Sequence, residues 1–213
     1  MVRTADWNSR LPLLAFASLL LVAALWAQTV KAAPIFSPGA LDPGATIIDF
    51  ESMTLGTTVP ITDGQVVIDS PTGSMKILPQ GYTQYPGVFE GQYLGQWPTT
   101  FTFDFANPVS EFGVGVFDPN YPNTNLAAYD SQGGLLEPQI FVPTGSPGGG
   151  WSTFVGFVRA NADIAQVVLT AQSGDLIGID NVTYFREAAV PAPAPLALLL
   201  VGLVGLAAAR RRG

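Results

Sequence analysis

Two acidic stretches, far apart in sequence, carry residue types that could bind an ion if they met. Asp49-Phe50-Glu51 lies near the start of a patterned middle region and Ile179-Asp180-Asn181-Val182 near its end. Calcium takes about six to eight oxygens, and carboxylates together with backbone carbonyls at a strand edge supply them. Terminal strands of a sandwich often lie side by side, so Glu51 and Asp180 are the first candidate ligands and Asp49 the next. The plain alternative turns Asp49 and Asp180 to solvent and leaves Ile48, Phe50, Ile179 and Val182 to fill the core.

A second chemistry is suggested by aromatic rings set among amides. Tyr82-Thr83-Gln84-Tyr85-Pro86-Gly87 is followed by Tyr93 and Trp97, and Asp118-Pro119-Asn120-Tyr121-Pro122-Asn123-Thr124-Asn125 forms a polar run around Tyr121. Aromatic faces stack on the apolar faces of sugars, while amides and carboxylates bond the hydroxyls. Tyr82, Tyr85, Tyr93, Trp97 and Tyr121 are therefore the candidate ligand-binding residues. Packing of Tyr93 and Trp97 into the sandwich edge is the competing reading. For residues 118–125 it is a plain turn, because Asp and Asn bond their own backbone.

Other chemistries are excluded. With no His and no Cys in 213 residues, there is no Ser-His or Cys-His nucleophile, no Cys/His zinc site, no disulfide and no thiol redox centre. No Gly-x-Ser-x-Gly elbow occurs, and Gly148-Gly149-Gly150 lacks the Gly-Lys-Ser/Thr ending of a phosphate cradle. Asn181-Val182-Thr183 matches a glycosylation acceptor but reads as strand. Two carboxylates alone can hydrolyse a sugar bond, yet fifteen acids between residues 33 and 189 offer so many pairs that their availability singles out none. Only Lys76, Arg159 and Arg186 oppose them, a net charge of −12 for that stretch. Such a surface repels nucleic acid and anionic lipid and suits divalent cations or neutral ligands.

The elements that must position these residues are short strands. Thr100–Phe105 and Glu111–Phe117 alternate apolar and polar or small residues, the period of a half-buried strand. Further strands are expected at Thr46–Phe50, Gln65–Asp69, Ser74–Leu78, Leu126–Asp130, Pro138–Val142, Phe154–Ala160, Ile164–Ala171 and Leu176–Phe185, with a turn at Gly133-Gly134. No helical period is sustained. The expected fold is all-β: an antiparallel, jelly-roll-like β-sandwich over residues 33–189, with Phe50, Phe101, Phe103, Phe105, Phe112, Phe117, Phe154 and Phe157 in its core.

The two ends read as addresses. Residues 1–32 have a basic start (Arg3, Arg10), an apolar run and small residues before a cut after Ala32, with Ala27 as the competing position: a signal helix for signal peptidase. Residues 190–213 join a stiff Val190-Pro191-Ala192-Pro193-Ala194-Pro195 to an apolar run over 196–209 and then Arg210-Arg211-Arg212. Fourteen apolar residues make roughly 21 Å of helix, short for a ~30 Å hydrocarbon core. Val190, Pro191, Pro193 and the arginine cluster Arg210, Arg211, Arg212 resemble the PEP-CTERM sorting signal, with Ala192 standing where that pattern has glutamate. The resemblance implies export, transient anchoring in the inner membrane through residues 196–209, recognition by an exosortase, and association with exopolysaccharide or biofilm at the cell surface. An unprocessed tail anchor is the alternative.

The middle region is loosely similar to β-sandwich carbohydrate-binding modules, through an early Phe50-Glu51 and a late Asp180-Asn181-Val182 strand. That resemblance implies a structural calcium. Together these readings give an exported, non-catalytic polysaccharide-binding protein; the alternatives are a carboxylate-dependent glycan-processing enzyme and a purely structural surface protein.

Overall fold

The structure, a computed structural model, describes residues 33–79, 85–95, 100–145, 151–175 and 177–186. The signal segment, Tyr82, Trp97 and the sorting tail lie outside these residues. Thirteen strands occur among them: β1 (Ala33–Ile35), β2 (Thr46–Ile48), β3 (Ile61–Asp63), β4 (Val66–Asp69), β5 (Lys76–Leu78), β6 (Tyr93–Gly95) and β7 (Thr100–Val109), then β8 (Glu111–Phe117), β9 (Asn125–Tyr129), β10 (Ile140–Phe141), β11 (Ser152–Val158), β12 (Ile164–Thr170) and β13 (Gly178–Phe185). All ten expected strands are present.

They form two antiparallel sheets packed as a sandwich. One has the order β10-β9-β12-β7-β4-β3, the other β1-β11-β8-β13-β6-β5 with β2 also on β13. From β7 onward the chain passes back and forth between the sheets, as in a jelly roll. The alternation in β7 sends Phe101, Phe103 and Phe105 inward, and that in β8 sends Phe112, Val114 and Val116 to meet them. Phe103 and Phe112 touch across the sheets at 4.9 Å between ring centroids. All eight phenylalanines assigned to the core are buried.

The two outer faces differ. On the seven-stranded sheet, Gly113 and Gly115 alternate with the inward residues, so the sheet is bare of side chains there and other segments close over it. Leu41 and Phe154 lie over Gly113, and the Val88 carbonyl lies over Gly115, 1.7 Å from where a β-carbon would stand. Because the obstacle is backbone, Gly115→Ala is expected to cost about 3 kcal/mol. Urea unfolding checks this, and a loss under about 1 kcal/mol would show that the segment around Val88 yields freely. On the six-stranded sheet the outward side chains of β4, β7 and β12 are half-buried.

Candidate functional site

Strand β13 brings the two acidic stretches together. One edge of it pairs with β8; the other is shared end to end by β6, at Gly178 and Ile179, and β2, at Val182 to Tyr184. Asp180 and Asn181 fall in the break between those partners. The register with β8 is also interrupted here, between Asp180, opposite Gly115, and Thr183, opposite Gly113, and Asn181 adopts φ 48°, a left-handed conformation that Asn tolerates better than most residues. The chain leaves β2 and enters β6 at this break, with Phe50 also left-handed at φ 59°. Asp49, Glu51 and Gln92 are therefore delivered to the surroundings of Asp180 by topology.

Asp180 is fully buried. Its Oδ2 accepts from the Glu90 amide at 2.8 Å and its Oδ1 from the Asn181 amide at 2.7 Å. Glu51 lies along the same backbone strip. Its Oε1 accepts from the Gln92 amide at 2.5 Å, and its main-chain oxygen accepts from Gln92 Nε2 at 3.1 Å. Between the two amides sits Gly91, at φ 73° and with the Glu51 carboxylate where a β-carbon would be, so only glycine fits. Asp49 accepts the Glu51 amide at 3.1 Å. Burial pushes the Asp180 carboxyl up to about 7, against the pull of the two amides and with further repulsion from Glu51 and Asp49.

The donor set suits a hard cation. The oxygens belong to Asp180 and Glu51, with Asp49 nearby, and Gln92 Oε1 is a buried acceptor with no hydrogen-bond partner. Among the described residues no three carboxylates are grouped as ligands of one ion, so amide and backbone oxygens would have to complete its shell.

The candidate aromatic residues are dispersed. Tyr93 packs on the outer face of the seven-stranded sheet, against Phe89, at 5.1 Å between centroids, and against Phe117. It is 8% exposed and thus takes the packing role that competed with display. Tyr85 is half-buried beside that cluster, bridged to Phe89. Tyr121 is exposed. Its loop is fastened to the β12–β13 connection, where Asn120 donates to the Asp175 carboxylate from its amide at 3.0 Å and from Nδ2 at 3.3 Å.

A further set of residues was not singled out by the sequence. On the outer face of the six-stranded sheet, register aligns Tyr129, Gln166 and Asp104 on three neighbouring strands. Gln166 Nε2 donates to Asp104 Oδ1 at 2.6 Å, and along the same face Thr102 stands in the next outward row and Thr170 and Asn125 in the one after it. Each of these side chains is half-buried. A ring, an amide and a carboxylate thus stand side by side on rigid strands. The signal was available, since the alternation of Thr100–Phe105 already placed Asp104 opposite the phenylalanines.

No family model matches the chain, and none of the curated proteins does. Among solved structures, the C-terminal family 22 carbohydrate binding module of Clostridium thermocellum Xyn10B is 15% identical with a TM-score of 0.33, over 66% of this chain and 96% of that one. A mutant of the family 29 carbohydrate binding module CBM29-2 is 11% identical with a TM-score of 0.30, over 76% and 99%. The enzymatically active domain of Bacteriophage CBA120 tailspike protein 4 is 19% identical with a TM-score of 0.21, over 64% of this chain but 20% of that one. Likeness this distant brings no ligand or activity to the present chain.

Proposed function

We propose that residues 33–189 are a non-catalytic polysaccharide-binding domain of an exported cell-surface or matrix protein. The observation that carries the reading is the half-exposed row of Tyr129, Gln166 and Asp104 on strands β9, β12 and β7. An aromatic ring stacks on a pyranose face while the adjacent amide and carboxylate take its hydroxyls. The exposed Tyr121 extends the same chemistry into a loop; Tyr82 and Trp97 remain candidates outside the described residues. Net negative charge favours a neutral glycan over an acidic one.

The terminal-strand acids hold a structural calcium in this reading. Asp180 and Glu51 would ligate it, with Gln92 Oε1 and Asp49 completing the shell together with backbone oxygens. The bound ion would supply charge neutralisation that fixes β2, β6 and β13 together.

Residues 1–32 direct export through signal peptidase. The 190–213 tail is held transiently in the inner membrane through residues 196–209 and processed by an exosortase. The mass of the mature protein tests both cleavages at once, and intact chain recovered from the cytosol would defeat the export reading.

Binding is tested by affinity electrophoresis of the protein through gels containing cellulose derivatives, xylan, mixed-linkage glucan or dextran. Retardation by at least one is expected, with Tyr129→Ala weakening it by at least about tenfold at unchanged melting temperature, the loss of one stacking contact and its neighbours. Retardation by none, or retardation that Tyr129→Ala and Gln166→Ala leave intact, would reject this face as the site.

A further inference from the structure

The β8–β9 loop concentrates a rare defect. Five buried side-chain polar atoms lack a hydrogen-bond partner among the described residues, and three of them, Asp118 Oδ1, Asn120 Oδ1 and Thr124 Oγ1, belong to this one seven-residue stretch. Native proteins pair most buried polar groups, and an exception calls for a water or an ion. Thr124 is fully buried at the base of the loop, with its amide on the Tyr121 carbonyl at 3.3 Å. The Asp175 carboxylate, 3% exposed, joins the group through Asn120. Asn120 Nδ2 also donates to the Asp118 carbonyl at 2.9 Å, which leaves Oδ1 as the unused end of that amide.

All three orphans are oxygens able to accept; one belongs to the Asp118 carboxylate, and the Asp175 carboxylate accompanies them. The ion pairs among the described residues, those of Arg159 with Glu137 and Asp163, involve neither Asp118 nor Asp175. A water would have to satisfy acceptors and still leave the negative charge uncompensated; a cation does both. Oxygen-only donors on a loop, carboxylate and amide mixed, suit calcium better than magnesium, which demands stricter geometry and keeps its waters, or a softer metal.

We infer that the β8–β9 loop is a calcium site, with Asp118, Asn120 and Thr124 as side-chain ligands and Asp175 as its buried anionic anchor. It is separate from the terminal-strand acids, which lie on other elements. Its ion would fasten the Tyr121 loop to the β12–β13 connection.

The test uses the full-length chain, stripped with chelator and dialysed against calcium chloride alone up to about 10 mM, beyond the ~0.1–1 mM range of weak modules. Asp118→Asn is expected to lose one bound equivalent that Asp180→Asn retains, so this site and the terminal-strand site report separately. Thr124→Val keeps the shape and removes the orphaned hydroxyl. It should weaken that equivalent by at least about tenfold while leaving the melting temperature in chelator unchanged or higher. The inference is overturned if wild type and Asp118→Asn bind the same number of ions. It is equally overturned if Thr124→Val leaves the affinity unchanged and raises the melting temperature alike with and without calcium, the signature of a buried water.

Discussion

Without divalent ions, the protein should lose stability as the pH rises from about 4 to about 7, opposite to the usual behaviour of a carboxylate in an ion pair. Asp180 is held at about 7 in the fold against 3.8 for a free aspartate side chain, chiefly by burial. Below both values the carboxyl is protonated in folded and unfolded chains and costs nothing. Between them the folded state holds a proton that the unfolded state has released, so each rise in pH favours unfolding. Above about 7 the folded carboxylate is ionised and the full penalty stands, roughly 4 kcal/mol at most. Asp180→Asn cannot ionise, so its melting temperature should lack this fall and exceed that of wild type above neutrality. Calcium should act on wild type in the same direction, because an ion beside Asp180, Glu51 and Asp49 favours the ionised form. Melting curves from pH 4 to 8, with chelator and with calcium, give the comparison. Parallel profiles for wild type and Asp180→Asn in chelator would show that Asp180 does not titrate in this range.

The route by which Asp180 reaches that environment shows how far the sequence could be read. Alternation in Thr100–Phe105 and Glu111–Phe117 is a property of single strands, and it identified both the strands and their buried faces. The three strands not expected, Ala33–Ile35, Ile61–Asp63 and Tyr93–Gly95, are three residues long, too short for a period to declare itself; β2, β5 and β10 are no longer but fall within expected five-residue segments. Strand β7 also runs on through Ala106, Asn107 and Pro108 to Val109, past residues that ordinarily end a strand. The proximity of Asp49, Glu51 and Asp180 followed from the expectation that terminal strands lie side by side. Gln92 was invisible, because its place depends on β6 and β2 sharing one edge of β13. Tyr93 faces Phe89 and Phe117 for a similar reason: Gly95 and Gly178 leave room on that face of the sheet, and space of this kind is not written in the residues that fill it. Tyr129 reads as the end of a strand until register sets it beside Gln166 and Asp104.

The remaining large effect concerns the single buried cation among the described residues. Arg159, at the end of β11, donates from Nη1 to Glu137 and holds Asp163 in a fork, Nε to Oδ1 at 2.5 Å and Nη2 to Oδ2 at 2.9 Å. Its guanidinium is held charged, its pKa raised first by the hydrogen bond to Asp163. The side chains of Arg159 and Glu137 are each 7% exposed, so removing the cation takes this counter-charge away from a buried carboxylate. Arg159→Met is expected to cost about 3–5 kcal/mol, roughly 10 °C in melting temperature for a domain of this size. Arg159→Lys should recover little of that, since an ammonium cannot reproduce the two-point hold on Asp163. The double variant Glu137→Gln with Arg159→Met should be more stable than Arg159→Met alone, because the buried negative charge is gone. Thermal melts of the three variants at one pH give the comparison, and a double variant no more stable than Arg159→Met would show that packing sets the loss and not the buried negative charge.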